Sequence, residues 1–317
     1  MKLELVKSWT SNDIQYVCSN VALGSSTLIV LAINNADKYC LIVLQQEKII
    51  HIPLPYLDSF LDNNDEPILF STGGNFGIIA TITELYYYPT FDAKPEKIAI
   101  SNGGFFTKKI PKTARKRKIS PISDSNILPI CFEDKLFQNH ARYYGLLEVD
   151  IKKKNAAWLN FSNIEPDAFP SHTDKDHPPK IDNLQLLKNE LYAFVAGGSI
   201  TSVNKWGMDY YELVKITKQG KVLETYIDSG NLKVDNKKRG VNGFFTANEE
   251  YLIMTPVFQN DEWKGIQKIY SLKTKGYVDI ELPKGKTKFK IIQNIANSFW
   301  IYLHDKEQKQ FALCSTQ

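Results

Sequence analysis

The sequence predicts an all-β protein built from short antiparallel strands, and three observations support this. Apolar and polar side chains alternate over short runs; in residues 48–54, Ile50, Ile52 and Leu54 occupy every second position. The 16 Tyr and 17 Phe favour strands, because aromatic side chains suit a pleated, half-buried surface. No long amphipathic helical pattern occurs. With 43% hydrophobic and 23% charged residues, the 317-residue chain has ample apolar side chains for a core.

The clearest strand pattern lies in residues 181–227. Four apolar runs, residues 181–187, 190–196, 210–217 and 221–227, follow one another closely along the chain. Gly220 lies in the turn between the last two runs, where a glycine readily adopts the positive φ that a tight hairpin requires. These residues therefore predict one four-stranded antiparallel sheet.

This four-strand pattern recurs with a period of roughly 50 to 60 residues, which is the range expected for a radial repeat. The pattern predicts six such units, of which residues 181–227 form the fourth. The strands expected in the others are 14–19, 27–33, 39–44 and 48–54; 68–72, 76–83, 97–101 and 105–110; Ile122, 127–132, 143–151 and 157–161; 241–246, 251–258, 266–272 and 277–282; and 290–295, 299–303 and 310–314.

The sixth unit has only three strands, and the missing one is expected from the other end of the chain. Residues 3–9 precede the first unit and have no other strands to join. If they complete the sixth unit, the ring closes and no inner edge is left exposed. The whole chain, residues 1–317, thus resembles a six-bladed β-propeller in a single domain. A seven-bladed propeller is the alternative, and a pair of β-sandwiches is a more distant one.

The resemblance is to the architecture and to no specific family. The sequence has no Trp-Asp repeat signature, no kelch Gly-Gly pattern and no aspartate box. Residues 1–9 are charged every few positions, so no signal peptide is expected. No apolar run reaches the roughly 18 residues of a membrane span. Cys18, Cys40, Cys131 and Cys314 lie in apolar strand patterns and too far apart for a metal or redox motif, which favours free thiols and a cytoplasmic location.

The expected loops are unequal on the two faces of the ring, and the long ones share a face. Long loops on a rigid scaffold are where binding usually takes place, so this face is the predicted working surface. The long loops are expected at residues 55–66, 85–96, 108–118, 133–142, 162–180, 199–209, 228–240 and 259–264.

Cationic and aromatic side chains on these loops are the candidate binding residues. A basic run contains seven cations and no acid, in a chain whose formal net charge is only +4. It could contact an acidic protein surface or nucleic-acid phosphates, or it could be a solvated loop. The aromatic residues could anchor an interface or pack beneath their own loops. The candidates are Lys108, Lys109, Lys112, Arg115, Lys116, Arg117 and Lys118; Lys237, Lys238 and Arg239; Tyr87 in the run 86–88 with Phe91; Trp206; and Trp263.

Candidate catalytic and metal-binding residues are few. Glu66 and Asp182 are expected near the starts of innermost strands, where carboxylates could act as general acid and base, although Asp also begins strands because it suits turns. Two histidines and two carboxylates could bind a metal, but they lie in a Pro- and Asp-rich loop with no element to hold them, so an exposed loop is favoured and no cofactor is expected. These four residues are His172, Asp174, Asp176 and His177.

These observations favour a non-catalytic binding protein whose partner is a protein. One specific version is an inhibitor or immunity-type protein that covers the active site of an enzyme or toxin. The alternative is a propeller hydrolase that acts on a small molecule or glycan in an axial pocket, through Glu66 and Asp182. A weaker third hypothesis is RNA binding through the basic run. No Ser-His-Asp arrangement, Gly-x-Ser-x-Gly motif or phosphate-binding glycine loop supports a named chemistry.

Overall fold

The computed structural model describes sixteen stretches of the chain, and these consist almost entirely of β-strands. A short 3-10 helix, Pro55–Phe60, follows the fifth strand. Within these stretches, no helix is both long enough and apolar enough to cross a membrane. The described residues are 2–45, 48–60, 67–72, 74–101, 115–118, 127–133, 142–159, 180–187, 190–202, 205–217, 220–227, 241–246, 250–256, 267–281, 290–304 and 309–316.

The strands follow the chain in hairpin order. They are β1 (Leu3–Ser11), β2 (Ile14–Leu23), β3 (Thr27–Asn34), β4 (Tyr39–Gln45), β5 (Lys48–Pro53), β6 (Ile68–Thr72), β7 (Asn75–Thr81), β8 (Glu84–Tyr88), β9 (Glu96–Ser101), β10 (Arg115–Lys118), β11 (Ile127–Glu133), β12 (Arg142–Asp150), β13 (Asn155–Leu159), β14 (Lys180–Leu187), β15 (Glu190–Ser202), β16 (Lys205–Ile216), β17 (Val222–Ile227), β18 (Val241–Phe245), β19 (Tyr251–Pro256), β20 (Lys268–Ser271), β21 (Gly276–Val278), β22 (Lys290–Ile295), β23 (Ser298–His304) and β24 (Lys309–Thr316).

The sheets have a β-propeller arrangement. The first sheet has the order β2-β3-β4-β5, and the sheets β14–β17 and β18–β21 repeat this antiparallel order. The first strands of several neighbouring units also lie close to one another: β2 contacts β6 and β22, and β14 contacts β18. β14 also contacts β11, the second strand of the unit before it. The propeller prediction is therefore confirmed.

The expected count of six separate blades is wrong. The described strands form five sheets, because β6–β9 and β10–β13 belong to one eight-stranded sheet. The outer strands β9 and β13 join them in parallel, with Ala156 opposite Ile100 and Ala157 opposite Ser101. The Ser101 hydroxyl strengthens this junction by donating to the Ala156 carbonyl oxygen at 3.0 Å. A lateral contact between outer strands does not change the alternation of apolar and polar residues in either strand, so the sequence pattern could not indicate this junction.

The N-terminal strand closes the last sheet, as predicted. β1 pairs antiparallel with β24, with Leu3 opposite Thr316 and Trp9 opposite Phe311. The sheet order is β1-β24-β23-β22, so β1 is its outermost strand. The Leu3 N–H also donates to the carbonyl oxygen of Glu281, which follows β21 of the preceding sheet, at 2.9 Å. Hydrogen bonds therefore tie the N-terminal strand both to its own sheet and to the segment after β21.

Three expected loops contain strands instead. Residues 84–88 form β8, so β9 is the fourth strand of its unit; the strand expected at 105–110 lies outside the described residues. Residues 199–209 largely continue β15 and β16. Residues 115–118 form β10, which pairs with β11, and Ile122 lies outside the described residues. The composition of these segments, rich in Tyr or in Lys, led to the loop prediction. It is equally compatible with strands, because aromatic side chains suit strands and lysines are common on edge strands.

The core lies between neighbouring sheets. Val21, Leu41 and Val43 of the first sheet pack with Phe76 and Ile78 of the next. All five side chains are fully buried, and they hold the two sheets face to face. Nearer the rim, the same two sheets expose part of their facing side chains.

Turns and cysteines follow the sequence predictions. Gly220 has a φ of 89°, the positive value expected for its turn. All four cysteines lie in strands. Cys40 and Cys314 are buried free thiols, and Cys18 is a half-buried one. Burial raises the thiol pKa of both Cys40 and Cys314 to about 11, so both stay protonated at neutral pH.

Candidate functional site

An open cleft lies between the first sheet and β8, at the outer end of their shared core. Its volume is about 530 Å³, within the range of sites that bind small molecules or short peptide segments. We call it the aromatic cleft. Its lining residues are Ile50, Ile52, Pro53, Leu54 and Tyr56 on one side, Tyr86 and Tyr88 on the other, and Phe91, Asp92, Ala93, Lys94 and Pro95 after β8.

The alternation of side chains along β5 explains the first wall of the aromatic cleft, which contains Ile50 and Ile52. Ile50 and Ile52 share a face and are half-buried against the core, while Ile49, His51 and Pro53 are exposed. Because side chains alternate between the two faces of a strand, Ile50 and Ile52 face the cleft together, and Pro53 lines it at the end of β5.

The 3-10 helix after β5 is anchored to β4. The Leu54 N–H donates to the Tyr39 carbonyl oxygen at 3.0 Å, and the Tyr39 N–H donates to Asp58 Oδ1 at 3.1 Å. Proline is favoured in the first turn of a helix, and Pro55 begins this one. These bonds hold Tyr56 over the cleft.

Tyr86 and Tyr88 form the opposite wall, and Tyr56 contacts both of them from the first wall. The Tyr56 and Tyr86 ring centroids lie 4.3 Å apart, and the Tyr88 ring stacks on Phe76 at 4.7 Å. The hydroxyls of Tyr56 and Tyr88 hydrogen bond to each other across the cleft. Burial is the main cause that raises the pKa of both phenols, so both are neutral at physiological pH. The wall is therefore apolar and held by specific contacts.

Carboxylates beside the aromatic cleft have partners. Glu84 Oε2 lies 2.5 Å from Lys97 Nζ, which is also 6.0 Å from the Tyr86 ring centroid. Asp58 Oδ2 lies 3.4 Å from Lys38 Nζ. Asp92 Oδ1 accepts a hydrogen bond from Thr90 Oγ1 at 2.6 Å. The cleft thus offers apolar walls with little unbalanced charge.

The arrangement is suited to binding and holds no recognisable catalytic constellation. Across the described stretches, no three His, Cys, Asp or Glu side chains are grouped closely enough to hold a metal ion. The charged side chains that line the aromatic cleft, Asp92 and Lys94, lie after β8 and have opposite signs. Apolar burial and aromatic contacts are the interactions that this site provides.

Polar side chains of the inner strands join neighbouring sheets. Gln293 of β22 donates through Nε2 to Asn20 Oδ1 of β2 at 3.3 Å. Ser19 Oγ accepts from the Leu69 N–H of β6 at 3.1 Å. These groups face the junctions between sheets and stabilise the ring.

Among the predicted binding residues in the described part of the chain, the aromatic cleft is lined by Phe91 and by Tyr86 and Tyr88, the neighbours of Tyr87. Tyr87 is 7% exposed and packs in another core cluster with Leu147 and Trp158, so its expected loop position is wrong. Trp206 lies in β16 opposite Ile200, and Asp182 lies in β14 at an irregularity of the pairing between Ile181 and Asn183. Arg115, Lys116, Arg117 and Lys118 form β10.

The remaining candidates lie outside the described residues, and their roles stay predictions. They are Glu66, Lys108, Lys109, Lys112, His172, Asp174, Asp176, His177, Lys237, Lys238, Arg239 and Trp263. Sequence reasoning did single out the aromatic run that contains Tyr86 and Tyr88, together with Phe91. It missed Ile50, Ile52 and Tyr56, whose only signal was the alternation of β5 followed by Pro55.

No protein-family model matches the sequence, and no curated protein is significantly similar to it. Several solved structures show a weak overall similarity. The β-propeller domain of Cps50 (Swd1) from Myceliophteria thermophila is 10% identical, with a TM-score of 0.48 over 99% of this chain and 100% of that chain. YCF48 bound to D1 peptide is 12% identical, with a TM-score of 0.44 over 98% and 80%. The N-terminal domain of Nup159 is 9% identical, with a TM-score of 0.38 over 96% and 76%. Similarities at this level identify neither a family nor a ligand.

Proposed function

We propose that this chain is a non-catalytic binding protein that holds an apolar segment of a partner protein in the aromatic cleft. The supporting observation is the cleft itself: about 530 Å³ lined mainly by aliphatic and aromatic side chains, at the surface of the ring. Contiguous apolar surface of this kind is unfavourable in water and marks interaction sites. Tyrosine is also enriched at the energetic centres of interfaces.

The chemistry of the walls favours a protein segment over a sugar or a nucleic acid. Sugars require many hydrogen-bonding groups, but the Tyr56 and Tyr88 hydroxyls bond to each other. Nucleic acids require several free cations near their phosphates, but the lining contains one cation, Lys94, together with one acid, Asp92, and the nearby Lys97 and Lys38 are paired with Glu84 and Asp58. Apolar side chains need only the desolvation that these walls provide.

An inhibitor or immunity-type role is the specific version of this proposal. In that version the partner is an enzyme or toxin, and the segment held in the aromatic cleft belongs to its active-site region. Adding the pure protein to the captured partner would then suppress the activity of that partner. Unchanged partner activity in the complex would contradict the inhibitor version while leaving the binding role intact.

The test is a comparison of affinity capture by matched variants. Ile52→Asp places a charge in the wall of the aromatic cleft, whereas Ile49→Asp places the same charge on the exposed face of the same strand, where Ile49 is 36% exposed. We expect the wild type and Ile49→Asp to capture the same partner, quantified by mass spectrometry, and Ile52→Asp to lose it. Phe91→Ala, after β8, gives a second cleft variant if Ile52→Asp unfolds. Equal capture by all four proteins would overturn the proposal.

A further inference from the structure

The free edge of β5 runs beside the aromatic cleft. β5 is the last strand of the first sheet and, within the described part of the chain, pairs with β4 alone. It pairs antiparallel, with Ile52 opposite Leu41 and Ile50 opposite Val43. The other edge of the strand therefore carries main-chain groups that no described strand uses.

The register identifies these groups. The Leu54 N–H points towards β4, because it donates to the Tyr39 carbonyl oxygen. Main-chain groups alternate along an antiparallel strand. The main-chain groups of Ile52 and Ile50 therefore also point towards β4, and those of Ile49, His51 and Pro53 point outwards. Proline has no N–H and suits such an outward position. Ile49 and His51 therefore each offer one N–H and one carbonyl oxygen at the free edge.

Outer strands elsewhere in the ring already form hydrogen bonds to an extended segment from the neighbouring sheet. β13 pairs with β9 through Ala156 and Ala157. The Leu3 N–H donates to the Glu281 carbonyl oxygen beside the closing strand. In both places an extended stretch of this chain covers the outer end of a junction between sheets. At the junction of the first sheet with β8, the described residues provide no such strand, and the aromatic cleft lies there instead.

The charge around the aromatic cleft defines the side chains that such a strand would carry. Glu84 and Asp58 are neutralised by Lys97 and Lys38, and the two charged residues in the lining itself, Asp92 and Lys94, have opposite signs. A charged side chain inserted between Ile52 and Tyr86 would lose its hydration without gaining a counter-charge. An electroneutral apolar cleft is complementary to uncharged apolar side chains.

We infer that the aromatic cleft binds an extended, uncharged peptide segment that adds to β5 as a further strand, with apolar side chains at every second position. This inference rests on the proposed function and specifies the conformation and chemistry of the partner segment. Main-chain hydrogen bonds to Ile49 and His51 provide affinity, and the inward side chains fill the cleft. This is strand addition, in which alternate side chains give specificity.

The test uses a displayed library of random seven-residue peptides, selected on the immobilised full-length protein and counter-selected on Ile52→Asp. Enriched peptides are then titrated against the wild type, His51→Pro and His51→Ala. His51→Pro removes one outward N–H and, as Pro53 shows, this edge accommodates proline. His51→Ala removes the same side chain and keeps the N–H. We expect alternating apolar residues in the enriched peptides, an affinity loss of about tenfold with His51→Pro, and little change with His51→Ala.

The possible results distinguish strand addition from binding in the aromatic cleft by another mode. Equal affinity for wild type and His51→Pro, or enriched peptides without alternation, would overturn strand addition while leaving the aromatic cleft as a binding site. No enrichment on the wild type over Ile52→Asp would contradict both the inference and the proposed function. If His51→Pro does not fold, N-methylation of alternate peptide amides tests the same hydrogen bonds, and undiminished binding of both N-methylated registers would overturn the inference.

Discussion

Gln267 bonds both main-chain groups of Ile291: its Nε2 donates to the Ile291 carbonyl oxygen at 3.0 Å, and its Oε1 accepts from the Ile291 N–H at 2.6 Å. Ile291 lies in β22, the innermost strand of the last sheet, and Gln267 precedes β20 of the sheet before it. Gln267 is 3% exposed. One side-chain amide thus takes the place of a neighbouring strand at a buried inner edge and joins two sheets.

Gln267→Met should destabilise the fold by about 1–3 kcal/mol for each main-chain group that it leaves unpaired. Methionine keeps the length of the side chain, so the change isolates the two hydrogen bonds. Urea denaturation monitored by tryptophan fluorescence measures the free energy of unfolding. Lys273→Met, in an exposed turn of the same sheet, is the control and should stay within about 0.5 kcal/mol of the wild type. Equal stabilities for Gln267→Met and the control would show that the amide bonds contribute nothing.

Deletion of residues 1–11 should destabilise the ring and promote self-association. β24 would keep β23 but lose its outer partner, and an unpaired strand edge pairs readily with other chains. Thermal unfolding and size-exclusion chromatography measure the two effects.

A synthetic peptide of residues 1–11 should restore the monomer and its melting temperature in a concentration-dependent manner. The same peptide with Trp9→Ala should be weaker, because the Trp9 and Trp300 ring centroids lie 5.3 Å apart in the closed ring. A truncated protein that stays monomeric with an unchanged melting temperature would contradict the closing role of β1.

Gly77→Ala should destabilise the protein by about 1–3 kcal/mol, because the added methyl group has no space. A Cβ at this position would lie 2.3 Å from Phe70 Cζ and 2.9 Å from the Tyr86 carbonyl oxygen, and the second atom belongs to a paired strand. Gly74→Ala is the matched control, since its Cβ would meet nothing within 4 Å. Chemical denaturation of both variants tests the expectation, and a destabilisation of equal size in both would refute it.

Stability should fall as the pH rises above about 10, where tyrosines of the unfolded chain ionise. Burial raises the pKa of Tyr56 and Tyr88 in the fold, so these phenols favour the native state below that pH and lose this contribution above it. The double variant Tyr56→Phe/Tyr88→Phe should therefore show a shallower decline of unfolding free energy between about pH 9 and 11. Denaturation curves at several pH values provide the measurement; identical slopes would show that these two phenols do not cause the decline.

Much of the strand order could be predicted because antiparallel hairpins are local. The strands expected at 68–72 and 290–295 agree with β6 and β22 residue for residue. The closing role of residues 3–9 followed from counting strands. Where the prediction failed, at β8 and β10, aromatic or basic composition suggested a loop although pairing with a neighbouring strand made the segment extended.

The aromatic cleft could be predicted only in fragments. Tyr86, Tyr88 and Phe91 form an aromatic group that is evident in the sequence, but their proximity to Ile50 and Ile52 depends on how two sheets pack against each other. No local pattern reports the distance between faces of different sheets. The alternation assigns Ile50 and Ile52 to one face of β5, but it does not indicate whether another part of the protein covers that face.

The sequence by itself determined that the chain is all β, where most strands lie, and that the first strand pairs with the last. These features depend on alternation and on hairpins, in which partners are close in the chain. Only the tertiary structure decided that β9 and β13 join two units into one sheet, through residues as far apart as Ser101 and Ala156, and that the aromatic cleft is open. Both depend on lateral contacts between sheets, which are set by packing in three dimensions.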